Sequence, residues 1–226
     1  MQHHKMSLLE KAVLVFNLLL LITGIVLYNI NLPAFQVYIE EDGFVEWITV
    51  LGLLGVVFVS INRLFTLRKE KSGFFLFVTA MIAILFFFAA GEEISWGQRI
   101  FGIESSEFFK QNNAQQETNL HNLVVGGKKI NKIIFSTVLS ICLGIYFLIF
   151  PLLYVKWNKF KQFVNYSGIP VPRVYHAAAI LVTFLLTEII RDGKRAELLE
   201  SGAALIFFLL LLYPMNGEIF KKKNIN

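Results

Sequence analysis

Glu117 and His121 stand four residues apart in the stretch "KQNNAQQETNLHN", a spacing that places two side chains on one face of a helix. A carboxylate beside an imidazole is the smallest pair able to carry out general acid–base catalysis. A second acidic pair, Glu92 and Glu93, ends the run "FFFAAGEEISWGQRIFG" abruptly. Buried acids that crowd together raise one another's proton affinity, so one of them can hold a proton near neutral pH. These four residues are the candidate catalytic set.

Around them lie residues suited to binding. Asn113, Gln115, Asn119 and Asn122 offer amide donors for sugar hydroxyls or phosphate oxygens. Trp96, Gln98 and Arg99 follow the glutamate pair, while Glu46, Glu188, Arg191 and Arg195 abut other apolar segments. A three-histidine zinc centre is excluded. His176 falls at the opposite end of its segment and His3 and His4 lie in the N-terminal tail, which leaves His121 alone on this side. A divalent cation that takes oxygen ligands, Mg²⁺, Mn²⁺ or Ca²⁺, suits carboxylates; Glu93, Glu117 and His121 are its candidate ligands. Ser95, Ser105, Ser106 and Ser201 sit in no nucleophile motif.

Plainer roles compete for several of these residues. Glu40, Glu41, Asp42 and Glu46 precede an apolar segment, where acids complement a helix dipole. Glu188, Arg191 and Asp192 have the spacing of intrahelical ion pairs. Trp47 and Trp96 suit an interfacial aromatic belt.

What must position these groups is a membrane scaffold. The 226-residue chain is 56% hydrophobic, has 23 Phe and a mean hydropathy of +0.62, beyond the range of soluble domains. Six apolar segments, near 12–30, 46–63, 73–91, 133–155, 174–190 and 202–217, read as helices, because a lone strand cannot satisfy its backbone in lipid. The expected fold is a single all-α polytopic bundle. Residues 92–130 form an outer polar loop, with or without a re-entrant piece. The lone Cys142 excludes a disulfide framework.

Charge sets the orientation. With the N-terminus in the cytoplasm, Lys5, Lys11, Arg63, Arg68, Lys69, Lys71, Lys156, Lys159, Lys161, Arg173 and Lys221–Lys223 all fall inside. These are thirteen of the 21 basic residues, as the positive-inside rule requires. Only Glu10, Glu70 and Glu218 among the 16 acids join them. Both termini are then cytoplasmic and the acids crowd one outer face. The basic residues flank apolar segments rather than forming a folded face, so no nucleic-acid partner is expected. Membrane lipids are, and a homo-oligomer is compatible.

The stretches "EEDGFVEW", "GEEISWGQRIFG" and "NNAQQETNLHN" resemble a group of bacterial inner-membrane proteins. That group carries E-D-G-x-x-E-W, G-E-E-I-S-W-G-Q and N-x-Q-x-E-x-N-x-H-N patterns. Here they fall on Glu41, Asp42, Gly43, Glu46 and Trp47; on Gly91 through Gln98; and on Asn113, Gln115, Glu117, Asn119, His121 and Asn122. The resemblance implies a bacterial cytoplasmic-membrane location and a shared outer-face site, and brings no activity with it. A looser likeness to ceramidase-type membrane hydrolases stops at their zinc site, whose second and third histidines are missing. The functional expectation is an outward-facing hydrolase or transferase acting on a lipid headgroup or lipid-linked glycan. The alternative is a cation or proton transporter, channel or sensor with an acidic outer vestibule. A scaffold whose acids only pair and cap stands third.

Overall fold

The computed structural model describes residues 5–120, 122–125, 128–129 and 138–222. Helix α1 (Leu8–Ile30) starts at a capping box: Ser7 accepts from the Glu10 amide while the Glu10 carboxylate accepts from the Ser7 amide, satisfying two otherwise orphaned donors. Asn31 closes α1 and caps α2 (Leu32–Tyr38) by accepting from Ala34 N at 3.1 Å. Helix α3 (Phe44–Leu67) follows, then α4 (Gly73–Glu93), capped by Ser72. After α4 come a 3-10 turn (Ser95–Gly97) and the short helices α5 (Gln98–Phe101) and α6 (Glu107–Asn112). Helices α7 (Leu139–Gly144) and α8 (Phe150–Lys156) join through a π-helical stretch, Ile145–Ile149. The chain ends with α9 (Asn158–Ser167), α10 (Val174–Thr187) and α11 (Arg195–Leu212).

Among the described residues, four helices are long and apolar enough to cross a membrane: α1, α3, α4 and the continuous stretch Leu139–Lys156. Their outward faces carry large apolar side chains such as Phe58, Phe65, Phe77 and Leu85, the surface that lipid favours. The other two expected segments differ. The one at 174–190 is helical for 14 residues only. The one at 202–217 starts earlier, at Arg195, and stops at Leu212, just before Pro214, which cannot continue a helix. Residues 133–137 of the fourth segment lie outside the described residues.

Helix α3 is the spine. Both α4 and α11 pack along it, and α11 also contacts α1 and α10. Close approach needs small residues: a Cβ on Gly52 would lie 2.9 Å from the Ala204 main chain. Polar ties reinforce the bundle. Asn17 Nδ2 donates to Thr183 Oγ1 at 3.0 Å, joining α1 to α10, and the Tyr175 hydroxyl donates to the buried Glu10. The Arg63 guanidinium donates to the Leu211 carbonyl and lies 3.7 Å from the centre of the Phe220 ring. A cation there satisfies an orphan carbonyl at the end of α11.

Gly52→Leu should therefore lower stability by about 1–3 kcal/mol, the usual cost of overpacking. Gly73→Ala, whose Cβ meets nothing within 4 Å, should leave it unchanged. Thermal unfolding of both variants in detergent checks this.

Candidate functional site

At the end of α4 the chain reverses through three successive left-handed residues, Ser95 (φ 45°), Trp96 (φ 55°) and Gly97 (φ 75°). Only glycine adopts this conformation freely, so the two non-glycine residues each store roughly 1–3 kcal/mol of strain that the surroundings must hold. The surroundings do hold them. Ser95, fully buried, donates to Glu117 Oε2 at 2.6 Å and accepts from Asn119 Nδ2 at 2.9 Å. The Trp96 indole donates to Glu92 Oε1 at 2.8 Å and stacks edge to face on Phe88. It lies so close to α4 that a Cβ on Gly91 would sit 2.8 Å from its ring.

Adjacent residues on a helix diverge by about 100°, and the two glutamates part accordingly. Glu92 faces the outer loop, where it also accepts from the Leu120 amide at 2.5 Å. Glu93 faces a cavity of about 30 Å³ lined with Glu41, Glu46, Arg99, Gln115, Glu117, Asn119, Glu197 and Glu200. That volume admits a water molecule or an ion.

Two sub-clusters share this cavity. In the first, the Arg99 guanidinium gathers four carboxylates: Asp42 Oδ2 at 2.6 Å, Glu46 Oε1 at 3.3 Å, Glu41 Oε2 at 3.5 Å and Glu117 Oε1 at 2.5 Å. Glu46 and Glu117 are the buried members, with side chains 6% and 12% exposed. Burial pulls Arg99 toward its neutral form, but Glu117, Asp42 and Glu46 outweigh that and hold its pKa above the ordinary value. In the second, Glu93, Glu197 and Glu200 bring one carboxylate oxygen each within 4.8 Å of the others. Like charges at that spacing repel by on the order of 3 kcal/mol per pair at an effective dielectric near 20. A proton or a divalent cation among them removes the repulsion, and three carboxylates are a fitting partial shell for an oxygen-seeking ion.

The amides build the wall. Asn113 Nδ2 donates to Asn119 O and Oδ1, Asn113 Oδ1 accepts from Gln115 N, and Gln115 Nε2 donates to Glu41. Asn122 Nδ2 donates to Gln115, and Gln98 Oε1 accepts from Thr118 N and Ser105 Oγ. This part of the 92–130 loop is thus hydrogen-bonded throughout and not loose.

The sequence candidates fall into three groups. Glu93, Glu117, Glu46, Arg99, Gln115 and Asn119 line the cavity. Glu92, Trp96, Gln98, Asn113 and Asn122 support its walls. Glu188 and Arg195 form their own partly exposed ion pair at 2.9 Å, and Arg191 is exposed; none of these three lines the cavity. His121, the proposed partner of Glu117, lies outside the described residues. Among the cation ligands expected from sequence, Glu93 is grouped with Glu197 and Glu200, while Glu117 is occupied by Arg99 and Ser95. In the sequence Glu41 and Asp42 have only motif and helix-dipole roles, Glu200 stands within one turn of an apolar run that could bring it to Glu92 and Glu93, and Glu197 has no assigned role. The i, i+3 spacing of Glu197 and Glu200 was the available signal, readable only once α11 is known to begin at Arg195.

Arg99→Ala should leave Glu46 and Glu117 uncompensated. For a partly buried network the loss should be about 2 kcal/mol or more, below the 3–5 kcal/mol of a fully buried pair. Adding Glu46→Gln and Glu117→Gln should restore part of it, a non-additivity that thermal unfolding of the single and combined variants measures. Models of protein families, curated proteins and solved structures yield no match to this chain.

Proposed function

We propose that this is a multi-pass membrane enzyme, a hydrolase or transferase acting on a lipid headgroup or lipid-linked glycan. Both termini are cytoplasmic, α10 and α11 complete six spans, and the carboxylate cavity opens on the outer side of a bacterial cytoplasmic membrane. The basic-residue asymmetry of the loops and the three-motif resemblance support that placement.

The observation that carries the reading is the meeting of Glu93, Glu197 and Glu200 within 4.8 Å, at the end of an apolar helix. Ionisable groups at membrane depth are costly and are kept where they work. Glu93, Glu197 and Glu200 would hold a divalent cation, which would supply Lewis-acid polarisation of a phosphate or glycosyl oxygen. Glu93 or its neighbour exchanges a proton with the reacting oxygen, and Arg99 holds Glu46 and Glu117 fixed. The amide wall of Gln115 and Asn119 supplies donors to substrate hydroxyls. The bonding of Ser95 and Asn119 to Glu117 keeps that carboxylate oriented, and His121 completes the acid–base set.

The test uses the full chain in lipid nanodiscs containing phosphatidylglycerol or a lipid-linked oligosaccharide, with Mn²⁺ added. Mn²⁺ should bind at one site per chain and bind about tenfold or more weaker in Glu93→Gln and Glu200→Gln. Product formation, followed by mass spectrometry, should fall about 100-fold or more in Glu93→Gln, the lower end for a general acid–base group. Equal turnover in that variant contradicts the assignment. Mn²⁺ flux into liposomes, lost in Glu93→Gln with no product formed, selects the carrier reading instead.

A further inference from the structure

Seven residues separate Phe86 from Glu93 on α4, and seven separate Phe207 from Glu200 on α11. Seven residues are close to two helical turns, so on each helix the ring lies beneath the carboxylate on the same face, about 10 Å deeper. The two rings meet edge to face with centroids 5.2 Å apart. Between rings and carboxylates lie small residues: Ala89, half-buried, and Ala90 and Ala204, buried against Leu53 of α3.

From this ring pair an apolar groove of about 220 Å³ runs inward, lined by Val78, Ile82, Phe86, Phe207, Leu211 and Tyr146 among others. Val78, Ile82 and Phe86 recur every four residues on the stripe that ends at Glu93, and Phe207 and Leu211 continue the stripe that starts at Glu200. The Tyr146 hydroxyl already donates to the Pro170 carbonyl at 2.6 Å. The groove is too small for a helix, which is about 10–12 Å across with its side chains, and it lies at a depth where the solvent is hydrocarbon.

We propose that this groove holds one hydrocarbon chain of the same lipid whose phosphate-bearing headgroup sits in the carboxylate cavity. The proposal rests on the enzyme reading and names its substrate class. Along the seam between α4 and α11 the lining changes from carboxylates and amides, through alanines, to aliphatic and aromatic side chains. A phospholipid or polyprenyl phosphate has the same order of groups. Its phosphate would meet a cation held by Glu93, Glu197 and Glu200, its hydroxyls the amides, and its chain would follow the stripe inward. The arrangement selects for a chain long enough to reach past Phe86, roughly 10 Å below the headgroup.

The full chain is placed in vesicles of phosphatidylglycerol bearing a photoactivatable diazirine on one acyl chain, with Mn²⁺ present, and cross-linked peptides are mapped by mass spectrometry. Labelling should concentrate on 78–86 and 207–211. It should fall about tenfold in Ile82→Trp, which fills the groove, and in the milder Val78→Phe. It should persist in Ile84→Trp, on the 58%-exposed lipid face. It should also weaken in Glu200→Gln, because headgroup and chain belong to one molecule. Groove labelling indifferent to Glu200→Gln means an ordinary bilayer lipid and overturns the proposal, as does labelling spread evenly over α1, α3 and α4. Turnover is not read, and Mn²⁺ binding is measured alongside. Intact Mn²⁺ binding with no groove labelling refutes the chain site alone, whereas absent Mn²⁺ binding refutes the enzyme reading.

Discussion

Carboxylates are packed around a single guanidinium at the edge of an apolar bundle, and this end of the molecule is organised to tolerate that. Arg99 neutralises one negative charge among the four it touches, and Glu93, Glu197 and Glu200 add three more in the same cavity. Carboxylates crowded this closely in a partly enclosed site are stable only where their oxygens have donors or share a counter-charge. The buried serine, the amide wall, the Trp96–Glu92 bond and the left-handed turn all supply or position such donors. The strain at Ser95 and Trp96 becomes intelligible in this setting, since it turns the chain sharply enough for Arg99 to reach Glu41, Asp42 and Glu46 around the start of α3.

The scaffold underneath explains why the acids converge. Helix α3 carries α4 on one side and α11 on the other, and glycine and alanine contacts hold α11 close to it. The C-terminal end of α4 and the N-terminal end of α11 then face each other across a seam, with Glu93 on one lip and Glu197 and Glu200 on the other. Depth along this seam sorts chemistry: ions at the top, small residues below, aromatic rings and aliphatic walls further in. Arg63 and the Glu10–Tyr175 contact fasten the opposite end of the bundle.

Much of this was legible in the sequence, and the failures have physical causes. The long apolar runs announced α1, α3 and α4 because nothing but lipid or core accommodates them. The opposing directions of Glu92 and Glu93 follow from helical geometry. The role of α11 was obscured because its first two turns are polar, so hydropathy placed the helix start near 202 and left Glu197 and Glu200 in a connecting loop. Arg99 could not be read as a hub, since its partners come from residues 41–46 and 117, far apart in the chain. Glu188 was expected among the binding residues because it abuts an apolar segment, yet α10 ends at Thr187 and Glu188 turns to Arg195 at the surface. Hydropathy records which segments are buried but not which faces meet, and the site is a property of the faces.

The central claim is that Glu93, Glu197 and Glu200 form one ion-binding unit at the outer end of the seam. Anomalous diffraction from crystals of the full chain soaked in Mn²⁺ addresses it directly. The account predicts a single strong anomalous peak within coordination distance of all three carboxylates, lost in Glu200→Gln. A peak elsewhere, or none on these residues in well-ordered crystals, would contradict it.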